Sequence, residues 1–172
     1  QISKQGFTYV FERETGDPVW PIEERNVEVD TNLDGDVLSP TQPFPTKPLP
    51  FEDQGASIDQ LVDFTPEIRA MAVEAVRNHR LGGLFTPPML SEEGGLQGAI
   101  QRPAIDGGAN WNGSAVDPET GLLYVPSQNA YSVMQYYTPD PADGGNLNLT
   151  QGGFNTAALM PQGLPLFKPP YS

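Results

Sequence analysis

The sequence contains no cysteine, which excludes disulfides and thiolate metal sites. It has one histidine, His79, with no serine or cysteine nucleophile pattern beside it. A lone histidine late in a helix reads as a surface or capping residue. Positive charge is scarce: 9 Lys and Arg stand against 22 Asp and Glu, for a net charge of −13. Nucleic-acid binding needs clustered Lys and Arg to displace counterions, and the basic residues here are scattered. The acidic balance also disfavours anionic membranes. No apolar run is long enough to span a bilayer, and no signal-peptide pattern opens the chain.

What is present is turn chemistry. Among 172 residues there are 18 Gly and 19 Pro, which predicts long irregular stretches, since Pro removes a donor and Gly costs chain entropy. The two together still fall short of a fully disordered composition. Phe7 to Arg13 is aromatic and β-branched and reads as a strand. The turn Glu14-Thr15-Gly16-Asp17 and the returning Pro18-Val19-Trp20 make it a hairpin ending in Trp. From Pro21 to Gln54 the chain reads mostly as loop, because Pro40, Pro43, Pro45, Pro48 and Pro50 recur too often for a helix or central strand.

Ser57 caps a short helix over Ile58 to Val62. Thr65, with Pro66 and Glu67 in the first turn, caps a better one. Ile68, Met71, Ala72, Ala75 and Val76 form its apolar stripe, Arg77, His79 and Arg80 suit its C-terminal dipole, and Gly82-Gly83 stop it. Leu84 to Pro88 reads as extended, and Gln97 to Gln101 as a short strand. Gly107-Gly108-Ala109-Asn110-Trp111 leads into the hairpin Ser114-Ala115-Val116, turn Asp117 to Gly121, Leu122 to Pro126. Ala130 to Tyr137 is expected to extend that sheet. The segment after Thr138 reads as loop, mobile if isolated.

Glu-Thr-Gly recurs after Phe11 and after Val116, an echo expected of propeller blades or another β-repeat. Asp30-Thr31-Asn32-Leu33-Asp34-Gly35-Asp36 resembles the first half of a calcium loop, but Thr41 stands where the bidentate Glu belongs, so a surface turn is the favoured reading over a weak calcium site. Asn112-Gly113-Ser114 and Asn148-Leu149-Thr150 match the glycosylation sequon, a pattern common by chance. Gln1 to Gly6 run straight into a strand, and Leu166 to Ser172 stop without a closing element. Both ends are therefore expected to be cuts within a longer chain; the alternative is a trimmed or processed one.

Several segments together resemble the quinoprotein dehydrogenases that use pyrroloquinoline quinone (PQQ), especially the membrane-bound glucose dehydrogenase branch. They are Lys4 to Gly16, Pro21-Ile22-Glu23-Glu24-Arg25, Leu38-Ser39-Pro40-Thr41-Gln42-Pro43-Phe44-Pro45, Gly83-Leu84-Phe85-Thr86-Pro87-Pro88, and Gly107 to Trp111 with the 116–126 hairpin. The resemblance covers roughly residues 1–130. It implies a mainly β chain supplying about two blades of an eight-bladed propeller, with a long Pro-rich loop and a short helical insertion. On this reading residues 1–20 are a blade hairpin, 21–96 the loop and helical insertion, 97–137 a second blade and 138–172 an irregular tail.

The resemblance implies PQQ and Ca²⁺ in the parent protein, a sugar or alcohol substrate, a quinone or cytochrome electron acceptor and a periplasmic location. Ca²⁺ would polarise the cofactor and an Asp would take the substrate hydroxyl proton. Both the Asp and the calcium ligands are expected upstream of Gln1, so the chain is expected to be inactive alone and to need the rest of the propeller chain. Lys4 stands where the family places a cation on the quinone oxygens, a preorganised donor for charge that develops there. Asn110 and Trp111 stand where it places a polar contact and an aromatic. Gly107 and Gly108 allow close backbone approach. Trp20 reads as a packing residue. The alternative function is a non-catalytic binding or interaction module derived from a propeller.

Overall fold

The computed structural model describes residues 1–109, 113–137, 160 and 163–169. The chain is mainly β, with one α-helix among the described residues. The first hairpin forms around Glu12 to Asp17. Phe11 bridges Pro18, Gly16 N–H donates to Glu12 O at 2.8 Å and Val19 N–H to Val10 O at 2.9 Å. Gly16 takes a positive φ of 79°, which a side chain would resist.

The region expected to be loop holds a β-ribbon. Strand β1 (Ile22–Asn26) pairs antiparallel with β2 (Thr41–Pro45), Ile22 opposite Pro45 and Asn26 opposite Thr41. The prolines that argued against a strand are tolerated because of their register. Val27 N–H donates to Pro40 O and Thr46 N–H to Pro21 O at the two ends of the ribbon. Hydrogen-bonded pairs alternate along an antiparallel ladder, so Gln42 and Phe44 face β1 with their N–H groups. Pro43 and Pro45 fall at the positions whose N–H would point outward.

An aromatic row ties this ribbon to the first hairpin. Phe7, 2% exposed, meets Phe44 edge-on at 5.4 Å, and Phe44 meets Phe85 at 5.6 Å. Tyr9 and Phe11 continue the row outward, stacked at 6.4 Å. Such ring pairs add about 0.5–1.5 kcal/mol each beyond area burial.

Helix α1 (Pro66–Val76) starts where expected, with Thr65 Oγ1 accepting from Ile68 N–H at 3.2 Å. It ends six residues before Gly82. Arg80 is not helical; it bridges Ala99 in parallel. Ala72 and Val76 are buried and Ile68 and Ala75 pack beside them, whereas Met71 faces out. The Ser57 segment is a 3₁₀ turn (Ile58–Gln60) rather than an α-helix, closed by Ser57 N–H donating to Gln60 Oε1 at 2.9 Å. Its short length lets Leu61 and Val62 drop fully into the core. Burial on that scale stabilises by about 1.5–3 kcal/mol per side chain.

Two further expectations are corrected. Residues 84 and 85 lie in a turn, closed by Thr86 N–H donating to Gly83 O at 3.1 Å, before the chain extends. Strand β7 (Ser132–Tyr136) does not extend the second hairpin. It is the centre of a separate three-stranded sheet, parallel to β3 (Met89–Leu90) and antiparallel to β4 (Ala99–Gln101). The second hairpin, β5 (Ala115–Asp117) and β6 (Leu122–Tyr124), stands apart as a two-stranded unit. Burial explains the choice: β7 alternates buried Ser132 and Met134 against β4, while every residue of β6 is exposed.

Most of the segment expected to be an irregular tail lies outside the described residues, but residues 163–169 are anchored to the core. Leu61 bridges Phe167, Val62 N–H donates to Leu166 O, Lys168 N–H donates to Gln60 O, and Lys168 Nζ pairs with Asp63 at 2.7 Å. Phe167 packs edge-on against Tyr131 at 5.3 Å and under the Arg102 guanidinium at 4.8 Å. Burial pushes the Tyr131 hydroxyl up to about 12. Arg102 itself is buried. It donates to Asp53 at 2.5 Å and to Asn129 Oδ1 at 3.1 Å, the pairing a buried cation requires.

Candidate functional site

Lys4 sits at the tip of a tight turn. Gly6 N–H donates to Ser3 O at 3.1 Å, Ser3 N–H donates to Phe7 O, and Ile2 bridges Thr8. The Lys4 carbonyl accepts from Gly108 N–H at 3.1 Å, and Gln128 N–H donates to Gly108 O. Gly107 has φ 83°, and a Cβ there would come within 2.7 Å of Lys4 Cβ and Cγ. The turn and the glycine-rich segment, about a hundred residues apart in sequence, are thus clamped together, and glycine is required for that approach. Asn110 and Trp111, which follow on this segment, lie outside the described residues.

On its other side Lys4 lines a cleft of about 340 Å³. Leu38, Phe85, Pro87 and Ile105 make its apolar wall; Gln42, Thr86 and Gln101 are its polar points; Lys4 and Glu28 are its charged ones. Among the described residues no carboxylate pairs with the Lys4 ammonium. Glu28, by contrast, is held. Its Oε1 is 2.5 Å from Arg80, whose side chain is 11% exposed, and its Oε2 is 3.3 Å from the Thr86 hydroxyl. Arg80 also donates to Asp30 O at 2.6 Å and approaches the Asp30 carboxylate at 3.4 Å.

Glu52 is the second carboxylate that the sequence did not single out. Its two oxygens are buried against Gly108, where a Cβ would collide with them, and neither has a hydrogen bond. Burial raises its pKa, opposed by the nearby Ser127 hydroxyl, the Gln128 N–H and the Arg102 charge. The Gln128 N–H is committed to Gly108 O, which leaves the carboxylate without a full donor. The signal that could have found it is Phe51-Glu52-Asp53 inside an otherwise Pro-rich stretch, a poor pointer on its own.

The remaining expected features resolve as structure. Asn32 bonds the Leu90 backbone twice, donating to its O at 3.0 Å and accepting from its N–H at 2.7 Å. The 30–36 segment is therefore a turn stapled to β3. Among the described residues no three acidic, histidine or cysteine groups could hold a metal ion. His79 is half-buried at the end of α1, and burial lowers its pKa against the pull of the Ala75 carbonyl. Trp20 is partly exposed at the foot of the first hairpin.

The site suits an anionic or quinonoid group on the Lys4 side. The exposed Lys4 ammonium, for which the described residues supply no carboxylate partner, is a charged donor for such a group. No equivalent ligand set for Ca²⁺ stands among the described residues.

The family model described as "PQQ: Glucose/ethanol/alcohol dehydrogenase, beta-propeller domain" matches residues 1–172. The chain is 28% identical over 167 residues to the glycerol dehydrogenase large subunit of Gluconobacter thailandicus, covering 97% of this chain and 20% of that protein. It is 29% identical over 121 residues to the glycerol dehydrogenase large subunit of Gluconobacter oxydans (strain 621H), covering 70% and 16%. It is 26% identical over 141 residues to the quinate/shikimate dehydrogenase (quinone) of Acinetobacter baylyi (strain ATCC 33305 / BD413 / ADP1), covering 82% and 17%. The chain thus spans a fifth or less of the length of these curated relatives. No solved structure matches it significantly.

Proposed function

Since the chain belongs to the glucose/ethanol/alcohol dehydrogenase family of PQQ β-propeller proteins, we propose that it forms part of a dehydrogenase that oxidises a sugar, polyol or alcohol hydroxyl by hydride transfer to PQQ. The observation that carries this reading is Lys4, whose backbone is held against Gly107 and Gly108 at the rim of a cleft and whose ammonium has no carboxylate partner among the described residues. PQQ, when bound, supplies a quinone that accepts two electrons.

Lys4 is proposed to hold the quinone oxygens. An ammonium donor there would stabilise negative charge gathering on those oxygens. Gly107 and Gly108 let Lys4 and the Glu52 carboxylate pack close against that segment, and Asn110 and Trp111 are proposed as the polar and aromatic neighbours that follow. We assign no general base to the described residues. The proton of the substrate hydroxyl would be taken by a group outside them, and any Ca²⁺ would draw its ligands from there too. The chain is therefore proposed to work with the rest of a propeller chain and to be inactive alone, a reading supported by its small share of the relatives' length. A quinone or cytochrome acceptor and a periplasmic location complete the proposal.

Titrating PQQ into the 172-residue chain, with and without Ca²⁺, tests it against a Lys4→Ala variant. Saturable binding weakened by about tenfold is expected, the loss of one charge-assisted hydrogen bond. Equal affinity of the two chains would remove Lys4 from the cofactor. A parallel dye-reduction assay with glucose, glycerol and ethanol should show no turnover; turnover would overturn the claim that the chain needs further residues.

A further inference from the structure

Glu28 lines the same cleft as Lys4, and it is built to stay there. Its carboxylate is anchored by the largely covered Arg80 at 2.5 Å and approached by the Thr86 hydroxyl at 3.3 Å. The one Thr86 hydroxyl proton is shared between that carboxylate and Gly83 O at 2.9 Å, and Arg80 is fixed by donating to Asp30 O. About two-fifths of the Glu28 side chain is exposed, so lone pairs remain for a ligand after Arg80 is served. Gln42 and Gln101 add neutral donors and acceptors to the lining.

We propose that this cleft is the substrate pocket and that Glu28 selects polyhydroxylated substrates, accepting a hydrogen bond from a hydroxyl other than the one oxidised. The inference rests on the reading that Lys4 marks the cofactor side. The chemistry favours a neutral polyol over other classes. A preorganised carboxylate accepts strongly from hydroxyl groups, the bond being charge-assisted. A monohydric alcohol offers no second hydroxyl and leaves Glu28 unserved. A hydroxy acid brings a second negative charge against the wall carboxylate. Discrimination follows the rule that a site built to bond a substrate hydroxyl rejects the analogue lacking it.

The test compares kcat/KM of the full-length, PQQ-loaded protein for glycerol and 1-propanol in wild type, Glu28→Gln and Glu28→Asp. Saturation-transfer NMR of both alcohols with the cofactor-free protein runs beside it. Glu28→Gln should lower the glycerol to 1-propanol ratio about tenfold, mostly through the glycerol KM, with a smaller change for 1-propanol. The glycerol saturation-transfer signal should fall in step, and Glu28→Asp, which keeps the charge, should retain part of both. An equal loss for the two alcohols would mean that Glu28 acts only through Arg80 on the fold, and an unchanged ratio would sink the proposal outright. If PQQ supports no turnover, the functional reading itself fails, while the NMR comparison still decides Glu28: a glycerol signal indifferent to the substitution overturns its role.

Discussion

The two Glu-Thr-Gly hairpins are near-copies in their turns, and both expose their own apolar side chains, but they differ in what adjoins them. In each, the glycine N–H reaches back four residues at 2.8 Å, Gly16 to Glu12 O and Gly121 to Asp117 O, with φ of 79° and 71°. In the second the Asp117 carboxylate also accepts from Glu119 N–H and from the Thr120 hydroxyl, bonds that pull its pKa down. Past the turn the likeness ends. The first hairpin runs into buried Phe7 and the aromatic row that reaches the cleft wall at Phe85. The second exposes Val116, Leu122, Leu123 and Tyr124. Turn chemistry is settled within a few residues, whereas burial is settled by what the rest of the chain brings alongside.

Truncating the apolar side chains sharpens that contrast most. Phe7→Ala should cost about 3–5 kcal/mol in chemical denaturation, as buried aromatics do. Leu123→Ala, at a side chain 46% exposed, should cost no more than about 0.5 kcal/mol in the 172-residue chain. Equal costs would show that the second hairpin is covered by something beyond the described residues. The turns should answer alike: Gly16→Ala and Gly121→Ala are each expected to cost about 1–2 kcal/mol, since neither meets a neighbour and only the positive φ resists. A gap of more than about 1 kcal/mol between them would break the equivalence.

The smallest effect lies beside the first hairpin, where Glu52 packs against Gly6 and Gly108. Its pKa is raised by burial, so the fold favours the protonated form. That contribution is fully present below the ordinary glutamate value and is lost as pH rises through the raised one. Glu52→Gln should therefore raise the melting temperature at pH 7 by on the order of 2 °C, with the gain vanishing near pH 4. A gain that is the same at both pH values would show that the charge is not what the substitution relieves.

Legibility in the sequence followed range. The Thr65 cap, the Pro66 and Glu67 first turn and both glycine turns were readable, because each is a contact among residues within about four positions. The β1–β2 ribbon was not. Ile22–Asn26 carries one apolar residue, and the prolines of Thr41–Pro45 become acceptable only once the register puts them outward. The end of α1 at Val76 was missed for a similar reason: Arg80 is drawn away by Ala99, Glu28 and Asp30, all distant in sequence. At the site, Lys4 and the Gly107–Gly108 pair stand out through the family resemblance, while Glu28 and Glu52 carry no local signal.

By itself the sequence determined where the chain turns, where its helix begins, and which glycines must take conformations closed to other residues. Those choices are local, made by sterics and hydrogen bonds that cost little chain entropy to form. Only the tertiary structure decided that β7 joins β3 and β4, that Phe167 returns to cover Leu61, and that Lys4 and Glu28 share a cleft. Each of these joins segments tens to a hundred residues apart. Such contacts are stabilised by the burial and charge pairing that the whole fold supplies, and no short stretch of sequence carries that information.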